Sequence, residues 1–292
     1  MSPFTKILVF GKNGQLARSI AEVFKNSNIH FVSQQDLDLR LSVAIVPFVT
    51  AQNPTLVINA AAYTQVDLAE TQKSEAESVN ALAPKMLAMA CESLKIPFIH
   101  FSTDYVFDGA KTVPYVETDS PGPLNFYGET KLRGEQAVQQ HCEKHLIFRV
   151  SWLYSEHGKN FFLTMLKLGT ERQQLKIVND QVGAPTYTLE IAKMLAQTLP
   201  EINNNWGLFH FANQGSATWY EFAKEIFAQA RQNGLPLRVD TVEPIATSQY
   251  PTPATRPANS RLNISKFEST FSYRPAMWSD ALSSCFSAYM RR

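Results

Sequence analysis

Short apolar runs rich in β-branched and aromatic residues alternate with longer amphipathic stretches through the first half of this chain of 292 residues. Near-continuous apolar strands between helices predict a parallel sheet covered on both faces. The pattern therefore predicts a doubly wound α/β fold. The predicted strands are residues 6–10, 29–33, 55–59, 97–102 and 146–150, and the predicted helices include residues 15–24 and 78–94.

The second half of the chain changes character. We expect residues 1–150 to form one domain and residues 151–292 mainly a smaller lobe, with segments near 188–212 returning to the sheet. Residues 244–263 are rich in Pro, Thr, Ser and Asn, which is typical of a segment that crosses a surface or a binding cleft. Apolar residues recur at helical spacing over residues 161–172, 189–199 and 219–233, which predicts three helices. A further strand is predicted at 207–212.

Composition narrows the classes of function. Hydrophobic residues make up 45% of the chain and the formal charge is +1, which argues against nucleic acid or an anionic membrane surface as the partner. Cys91, Cys142 and Cys285 are odd in number and widely spaced, as in a reducing compartment. His141 and His145 suit a metal only on one continuous helix, and a predicted strand follows at once, so no metal site is predicted. We expect a soluble, cytoplasmic protein.

A glycine turn follows the first predicted strand. Gly11 permits a tight turn, Gly14 lets the backbone approach a pyrophosphate, and the small Ala17 lets the next helix pack against the sheet. The N-terminus of that helix then faces the phosphates. We therefore predict that residues 1–150 are a dinucleotide-binding Rossmann domain. The alternative is a plain connection between strand and helix.

The end of the second predicted strand bears on the choice of dinucleotide. An acidic residue there binds the ribose hydroxyls of NADH, but this chain has Ser33, and Asp36 and Asp38 come later. Lys12 and Arg18 flank the glycine turn, where either can meet a 2′-phosphate. The sequence therefore favours NADPH, with Ser33 among the contacts, and leaves NADH as an alternative.

Tyr127 and Lys131 lie four residues apart, so on a helix they share one face. The ammonium there favours the charge state in which the phenol hands a proton to a carbonyl oxygen. Together with the hydroxyl of Thr103, directly after a predicted strand, these residues predict a carbonyl reductase. A second pair, Tyr220 and Lys224, lacks a preceding glycine turn, and we interpret it as part of an ordinary amphipathic helix.

Other residues near the predicted strand ends leave alternatives open. Thr103 can polarise a substrate carbonyl or cap a turn. Asp104 can cap the turn or bind a sugar hydroxyl, and Asn80 can anchor a water for proton relay or satisfy a backbone group. The small residues at 59–64 leave room for a ribose or nicotinamide, but tight packing of helix on sheet explains the alanines equally well.

Several short motifs, in this order and spacing, resemble those of the extended short-chain dehydrogenase/reductase superfamily and, within it, the dTDP-4-dehydrorhamnose reductase family. The resemblance covers nearly the whole chain. It implies that the C4 ketone of dTDP-4-dehydro-L-rhamnose is reduced with NAD(P)H to dTDP-L-rhamnose, for cell-surface polysaccharide such as lipopolysaccharide O-antigen. The motifs lie at residues 10–16, 59–70, 102–109, 123–132, 149–154, 179–186 and 256–261.

The resemblance also implies roles for particular residues. It implies that Thr103, Tyr127 and Lys131 are catalytic, with Tyr127 and Lys131 also touching the cofactor. It places the sugar nucleotide against Thr103, Asp104, Tyr127 and Trp152, although Trp152 can otherwise be a simple core residue. The other implied cofactor contacts are Asn13, Gly14, Gln15, Asp38, Leu39, Ala62, Tyr63 and Thr64.

Some relatives implied by the resemblance dimerise around a magnesium ion held by carboxylates. Glu190 matches one such position, but Arg18 and Arg292 stand where other carboxylates are expected. A magnesium-bridged dimer is therefore not favoured. A homodimer of another kind stays among the expectations.

Two other functions share parts of this pattern. A sugar-nucleotide epimerase uses the same tyrosine but retains its NAD and consumes none, so cofactor stoichiometry separates it from a reductase. A non-catalytic regulatory subunit is the alternative of a different class, since fold alone does not fix function. The intact Thr103, Tyr127 and Lys131 argue against it, because a binding module needs no proton donor.

Overall fold

Six parallel strands form the central sheet in the part of the chain that the computed structural model describes, residues 4–202 and 205–292. Short strands outside that sheet pair in twos. In chain order the strands are β1 (Ile7–Phe10), β2 (Ile29–Val32), β3 (Leu56–Asn59), β4 (Phe98–Thr103), β5 (His145–Val150), β6 (Leu153–Tyr154), β7 (Gln174–Val178), β8 (Val182–Gly183), β9 (Thr186–Tyr187), β10 (Gly207–Phe211), β11 (Ala217–Thr218) and β12 (Thr241–Ile245).

The order of strands in the central sheet is β2, β1, β3, β4, β5, β10, and each neighbouring pair is parallel. The chain moves outward from β1 to β2 and then crosses to the other side of β1 to form β3. Its winding therefore reverses between β1 and β3, and open α/β sheets bind ligands outside the carboxyl ends of the strands at such a point. The predicted doubly wound fold is confirmed, and the strand predicted at 207–212 is β10.

Successive side chains of each strand point to opposite faces of the sheet, so both faces carry apolar side chains. Helices therefore cover both faces. Ile7 and Val9 belong to a core shared with the first and eighth helices, whereas Leu8 and Phe10 belong to a second core, shared with the second and fifth. Among the described residues no helix is long and apolar enough to cross a membrane. The helices are α1 (Gln15–Val23), α2 (Ser42–Gln52), α3 (Val66–Ala69), α4 (Lys73–Glu77), α5 (Ala83–Leu94), α6 (Phe126–His141), α7 (Phe161–Glu171), α8 (Thr188–Thr198), α9 (Trp219–Gln232), α10 (Ser265–Phe271) and α11 (Trp278–Tyr289).

Two helices carry a proline near or inside them. The sequence pattern did not predict α2, which holds Pro47 in its interior and lacks the amphipathic period that marks a helix. The helix predicted at 78–94 is a π-helical turn, Ser78–Leu82, followed by α5. The sequence allows Pro84 a first turn or a kink, because proline has no backbone N–H to donate. Pro84 lies in the first turn of α5, directly after the π-helical turn.

A third apolar core lies between α7, α9 and α11. The small parallel pair of β7 and β12 adjoins it, with Gln174 opposite Thr241. The segment at 244–263 runs from this core back to the first half of the chain, where Arg256 pairs with Asp67 of α3 at 2.8 Å. Its backbone also accepts a hydrogen bond from Asn125, at 2.8 Å from the carbonyl oxygen of Thr255. The segment thus joins the third core to the start of α6.

Candidate active site

A cleft of about 690 Å³ opens at the carboxyl ends of β1, β3 and β4, where the winding of the sheet reverses. Its walls come from the turn between β1 and α1, the loop after β3, the N-terminus of α6 and residues 152–160. An adjoining pocket of about 310 Å³ continues past the end of β2. The two share Gly11, Ser33 and Ala62 in their walls, so they form one groove along the nucleotide-binding edge of the fold.

The glycine turn has the geometry that a pyrophosphate site requires. Gly11 has φ +92°, and a Cβ there would lie 2.8 Å from the backbone nitrogen of Ala61. Gly14 is the N-cap of α1 and offers no side chain to cap the helix. The helix therefore presents open N–H groups to the cleft, in a first turn without acidic residues. The donor set fits the diphosphate of a dinucleotide.

The residues predicted to touch the cofactor are divided between the two cavities. Asn13, Gly14, Gln15, Ala62 and Thr64 line the larger cleft together with Gly11 and Ser33. Asp38, Leu39 and Tyr63 line the smaller pocket. All of the predicted positions therefore lie along one groove, and their contacts with a bound cofactor stay a prediction.

Charged groups near the end of β2 bear on the choice of dinucleotide. The hydroxyl of Ser33 donates to Asp36 at 2.7 Å. Asp38 accepts hydrogen bonds from Arg40, which lower the pKa of that carboxyl to about 2. Lys12 lines the cleft and is exposed. The charge of Lys12 also contributes a little to lowering the pKa of Asp36, the carboxyl that Ser33 contacts.

The side chain of Gln15 connects parts of the protein. Its Nε2 donates to the carbonyl oxygen of Leu153 at 3.3 Å. Its Oε1 accepts from Ser155 and from Asn160, each at 3.2 Å. The amide thus fixes α1 to the loop that follows β6. A contact between Gln15 and a bound cofactor stays a prediction.

Tyr127 lies in the first turn of α6, which the side chain of Asn125 caps by accepting from the N–H of Gly128 at 2.8 Å. Tyr127 and Thr103 both line the cleft. Burial raises the pKa of the Tyr127 phenol to about 12, although a hydrogen bond with Thr103 lowers it in part. The phenol is therefore protonated at neutral pH and faces the Thr103 hydroxyl, as a proton donor requires.

Thr103 is held by its neighbour in the chain. Its hydroxyl donates to Asp104 at 3.0 Å and accepts from the N–H of Tyr105 at 3.2 Å. Asp104 is fully buried and also accepts from Ser151 at 3.0 Å. Burial raises the pKa of the Asp104 carboxyl to about 6, although the nearby hydroxyls of Ser260, Thr103 and Ser151 lower it in part. The Asp104 carboxylate thus organises the hydroxyls around it, and its contact with a sugar hydroxyl stays a prediction.

Lys131 is 1% exposed, one helical turn after Tyr127. Its Nζ donates to the carbonyl oxygen of Phe101 at 2.6 Å. Burial lowers the pKa of the Lys131 amine to about 8, and the charge of Glu135 opposes that effect. Lys224 of the second Tyr-x-x-x-Lys pair is exposed on α9 instead, with its ammonium over the ring of Tyr220. The same spacing thus gives one buried pair in the cleft and one solvated pair.

Trp152 lines the cleft, and the structure holds it in a strained backbone conformation with φ +45°. Its indole stacks on that of Trp219, with ring centroids 3.4 Å apart and planes 4° from parallel. Gly183 packs on its other side, since a Cβ there would lie 2.4 Å from the indole. Trp152 is partly exposed in the cleft and also packs against the third core, and its contact with a substrate stays a prediction.

Asn80 satisfies backbone groups, one of the two alternatives that the sequence left open. Its Oδ1 accepts from the N–H of Tyr63 at 2.9 Å, and its Nδ2 donates to the carbonyl oxygen of Tyr63 at 3.0 Å. The same nitrogen lies 3.1 Å from the hydroxyl of Thr130 on α6. Asn80 therefore ties the loop after β3 to the helix that carries Tyr127.

Over residues 4–202 and 205–292, no group of three or more His, Cys, Asp or Glu side chains is arranged to hold a metal ion. Glu190, the position that resembles a magnesium ligand, pairs with Lys193 at 2.8 Å. Arg292 donates to the backbone carbonyl of Glu156. The structure thus gives no support to bound magnesium.

Comparison with known proteins places this site in a family. The sequence model described as "RmlD substrate binding domain" matches residues 5–291. The dTDP-4-dehydrorhamnose reductase of Escherichia coli K12 is 42% identical over 274 residues, 91% of each chain. The chain belongs to the dTDP-4-dehydrorhamnose reductase family. The spore coat polysaccharide biosynthesis protein SpsK of Bacillus subtilis, 32% identical over 95% of each chain, is a further relative.

Solved structures of dTDP-4-dehydrorhamnose reductases superpose on nearly the whole chain. The Clostridium acetobutylicum enzyme has a TM-score of 0.91 at 38% identity and covers 98% of this chain and 99% of its own. The Bacillus anthracis enzyme, in complex with NADP, has a TM-score of 0.91 at 32% identity and covers 97% of this chain and 99% of its own. The UDP-glucose 4-epimerase of Thermus thermophilus, at 16% identity and a TM-score of 0.80, shares the fold alone.

Two side chains at the site were missed by the sequence interpretation. Trp219 begins the helical period predicted for residues 219–233, yet its ring stacks on Trp152 in the wall of the cleft. His100 lies on β4 with its Nε2 3.5 Å from the amine of Lys131. The signal for His100 was an ionisable residue inside an otherwise apolar strand. Nothing in the local pattern distinguished Trp219 from its core neighbours.

Proposed function

We propose that this chain reduces the C4 ketone of dTDP-4-dehydro-L-rhamnose with a reduced nicotinamide dinucleotide and yields dTDP-L-rhamnose for cell-surface polysaccharide synthesis. The observation that carries the proposal is the meeting of Thr103, Tyr127 and Lys131 in one cleft with the glycine turn at Gly11. Membership of the reductase family supports the choice of substrate. These three side chains form the proposed catalytic set.

Tyr127 is the proton donor in this proposal. When bound, the reduced nicotinamide supplies the hydride that C4 of the sugar accepts. Tyr127 hands its phenolic proton to the C4 oxygen as negative charge develops there. Burial keeps the phenol protonated up to a pKa of about 12, so the donor form is present throughout the neutral range.

Lys131 and Thr103 support this transfer. The Lys131 ammonium stabilises the tyrosinate left behind and is the group proposed to hold the cofactor ribose. The Thr103 hydroxyl now donates to Asp104, so its proton must turn from the carboxylate to the sugar oxygen to stabilise the oxyanion. Asp104 and Trp152 are the remaining proposed sugar contacts, with residues 151–292 as the main part of the substrate lobe.

Turnover is expected to fall as the pH rises through about 8. The sign follows from Lys131, whose pKa burial lowers to about 8, and whose protonated form is the one that stabilises tyrosinate. Tyr127 stays protonated over the same range, so Lys131 sets the alkaline limit. The measurement is kcat at saturating cofactor and substrate between about pH 6 and pH 10. A flat profile to the alkaline end contradicts this role of Lys131.

NADPH is the cofactor that we propose this chain prefers, with Lys12 close to the 2′-phosphate. Lys12 and Ser33 both line the larger cleft, whereas the charge of Arg18 helps to lower the pKa of His157. Lys12→Ala is expected to raise the KM for NADPH about tenfold and leave that for NADH within about twofold, as for loss of one charge-assisted contact. Arg18→Ala is the matched control, with both values unchanged. An equal effect of the two substitutions refutes the assignment.

The cellular location of the enzyme and its partners are part of the proposal. We propose a cytoplasmic enzyme, supported by three cysteines that are all buried and unpaired. A sugar nucleotide is the proposed small-molecule partner, and a homodimer remains a prediction. No step of the proposed reaction uses magnesium.

The test of the proposed function is absorbance at 340 nm with purified protein, dTDP-4-dehydrorhamnose made in situ, and NADPH or NADH. Stoichiometric loss of reduced cofactor with formation of dTDP-L-rhamnose is the expected result. Conversion of the sugar with no net loss of cofactor identifies an epimerase. Cofactor binding without conversion of the sugar points to a regulatory subunit, which a search for protein partners would then test.

A further inference from the structure

Three buried polar side chains lie side by side beneath the cleft: Asn59 on β3, His100 on β4 and Lys131 on α6. Asn59 and His100 are 0% exposed, and they are opposite each other in the ladder between the two strands. The neighbouring residue on the same face, Phe98, stacks on the His100 ring. Buried polar groups among apolar neighbours are costly unless they are hydrogen-bonded, so the direction of their hydrogen bonds is informative.

The backbone fixes the orientation of the Asn59 amide. The N–H of Ala61 donates to Asn59 Oδ1 at 3.1 Å, which leaves Asn59 Nδ2 to face His100 Nδ1 at 3.2 Å. An amide nitrogen only donates, so His100 Nδ1 must accept and carry no proton. A neutral His100 ring then has its proton on Nε2. Burial and the charge of Lys131 hold the pKa of His100 well below its usual range, in agreement with a neutral ring.

His100 Nε2 lies 3.5 Å from Lys131 Nζ. An N–H on Nε2 can donate to the lone pair of a neutral amine, but it has no lone pair to accept a proton from an ammonium. The carbonyl oxygen of Phe101, at 2.6 Å, accepts from Nζ in either state. Of these two contacts of Lys131 Nζ, the one with His100 therefore favours one charge state of the amine over the other.

We propose that Asn59 and His100 are positioning residues that hold the imidazole as its Nε2–H tautomer and so favour the neutral amine of Lys131. This role rests on the proposed function, in which Lys131 stands behind the proton donor. A less stable ammonium loses its proton at lower pH, so these two residues help to set the alkaline limit above which Lys131 no longer stabilises the tyrosinate. The neutral amine then accepts the His100 N–H.

The other groups around Lys131 do not replace this contact. Glu135, one turn further along α6, favours the ammonium, but its carboxylate is already paired with Arg149 of β5 at 2.7 Å. Tyr127 on the same helix is protonated in the neutral range. Asp104, after β4, is held by Thr103 and Ser151. Among these neighbours, His100 is the group that accepts a hydrogen bond from the Lys131 ammonium in one tautomer and not in the other.

The proposal is tested by NMR on the full chain, without substrate. Long-range ¹H–¹⁵N spectra, with His100 assigned by His100→Phe, report which ring nitrogen carries the proton, and the expected result is Nε2–H. Lysine labelled at ¹³Cε, with Lys131 assigned by Lys131→Arg, gives the titration midpoint of that amine. His100→Phe keeps a ring beside Phe98 and removes the N–H that favours the neutral amine, and is expected to raise the midpoint by about one pH unit. The alkaline limit of kcat should move the same way.

A second variant separates this role from simple packing. Asn59→Asp introduces a carboxylate, which only accepts, so His100 is expected to move its proton to Nδ1 and the Lys131 midpoint to rise. A wild-type ring protonated on Nδ1, or a Lys131 midpoint that does not move in His100→Phe, overturns the proposal. If the Lys131 midpoint rises in Asn59→Asp but not in His100→Phe, the rise reports the added negative charge, and the proposal is overturned too. Because these readouts need no turnover, they stand apart from failure of the proposed reaction.

Discussion

Tyr127→Phe is expected to lower kcat by about 10³-fold and to leave the affinity for NADPH within about threefold. The substitution removes only the phenolic oxygen, so the wall of the cleft keeps its shape while the proton donor is lost. A positioned general acid contributes about 10² to 10⁴ in rate, and Thr103 does not replace it because an aliphatic hydroxyl is a much weaker acid than a phenol. The measurements are kcat by loss of absorbance at 340 nm and NADPH binding by fluorescence titration.

The chain supplies a matched control for this experiment. Tyr220 also has a lysine four residues later, but Lys224 is exposed and the pair lies on α9. Tyr220→Phe is expected to leave kcat within about twofold. A Tyr127→Phe enzyme that retains more than a tenth of the wild-type kcat contradicts the assigned proton donor, whatever the control shows.

The second large effect is expected at the glycine turn. Gly11→Ala should raise the dissociation constant for NADPH about 100-fold or more. The native φ of +92° already costs an L-residue about 1–2 kcal/mol, and the added Cβ would lie 2.8 Å from the nitrogen of Ala61. The turn after β1 and the loop after β3 must then move apart, and both line the groove in which the dinucleotide is proposed to bind.

Gly234→Ala separates backbone strain from loss of the site. Gly234 has φ +75° but nothing within 4 Å of the position of a Cβ. Gly234→Ala introduces a backbone strain similar to that of Gly11→Ala, so it should lower the thermal midpoint of unfolding. NADPH binding should stay unchanged. If Gly11→Ala folds and binds NADPH as tightly as the wild type, the pyrophosphate site lies elsewhere.

Local patterns were sufficient for the parts of the fold that depend on neighbours in the chain. The glycine turn lies between a strand and a helix because Gly11 adopts a positive φ directly after four buried apolar residues of β1. Tyr127 and Lys131 share a face of α6 because their spacing matches the helical period. Pro84 marks the first turn of α5 for an equally local reason, its missing N–H.

Contacts between distant segments were beyond such reasoning. The stacking of Trp219 on Trp152 joins residues 67 positions apart, and the helical period of α9 gives no reason to place one ring in a cleft. The Gln15 amide similarly meets groups 138 to 145 residues away. The direction of the Thr103 proton depends on Asp104 and Ser151, which only the folded chain brings together. Helix α2 was missed because it has no polar face to mark its period.

The most direct test of the central claim is the fate of the hydride. Dihydronicotinamide labelled with deuterium at C4, on the face that is transferred, is incubated with the enzyme and dTDP-4-dehydrorhamnose, and the product is analysed by mass spectrometry and NMR. The account predicts one deuterium per molecule of dTDP-L-rhamnose, located at C4 of the sugar, with one cofactor oxidised for each. A sugar product without deuterium at C4, or labelled cofactor that is not consumed, contradicts reduction at this site.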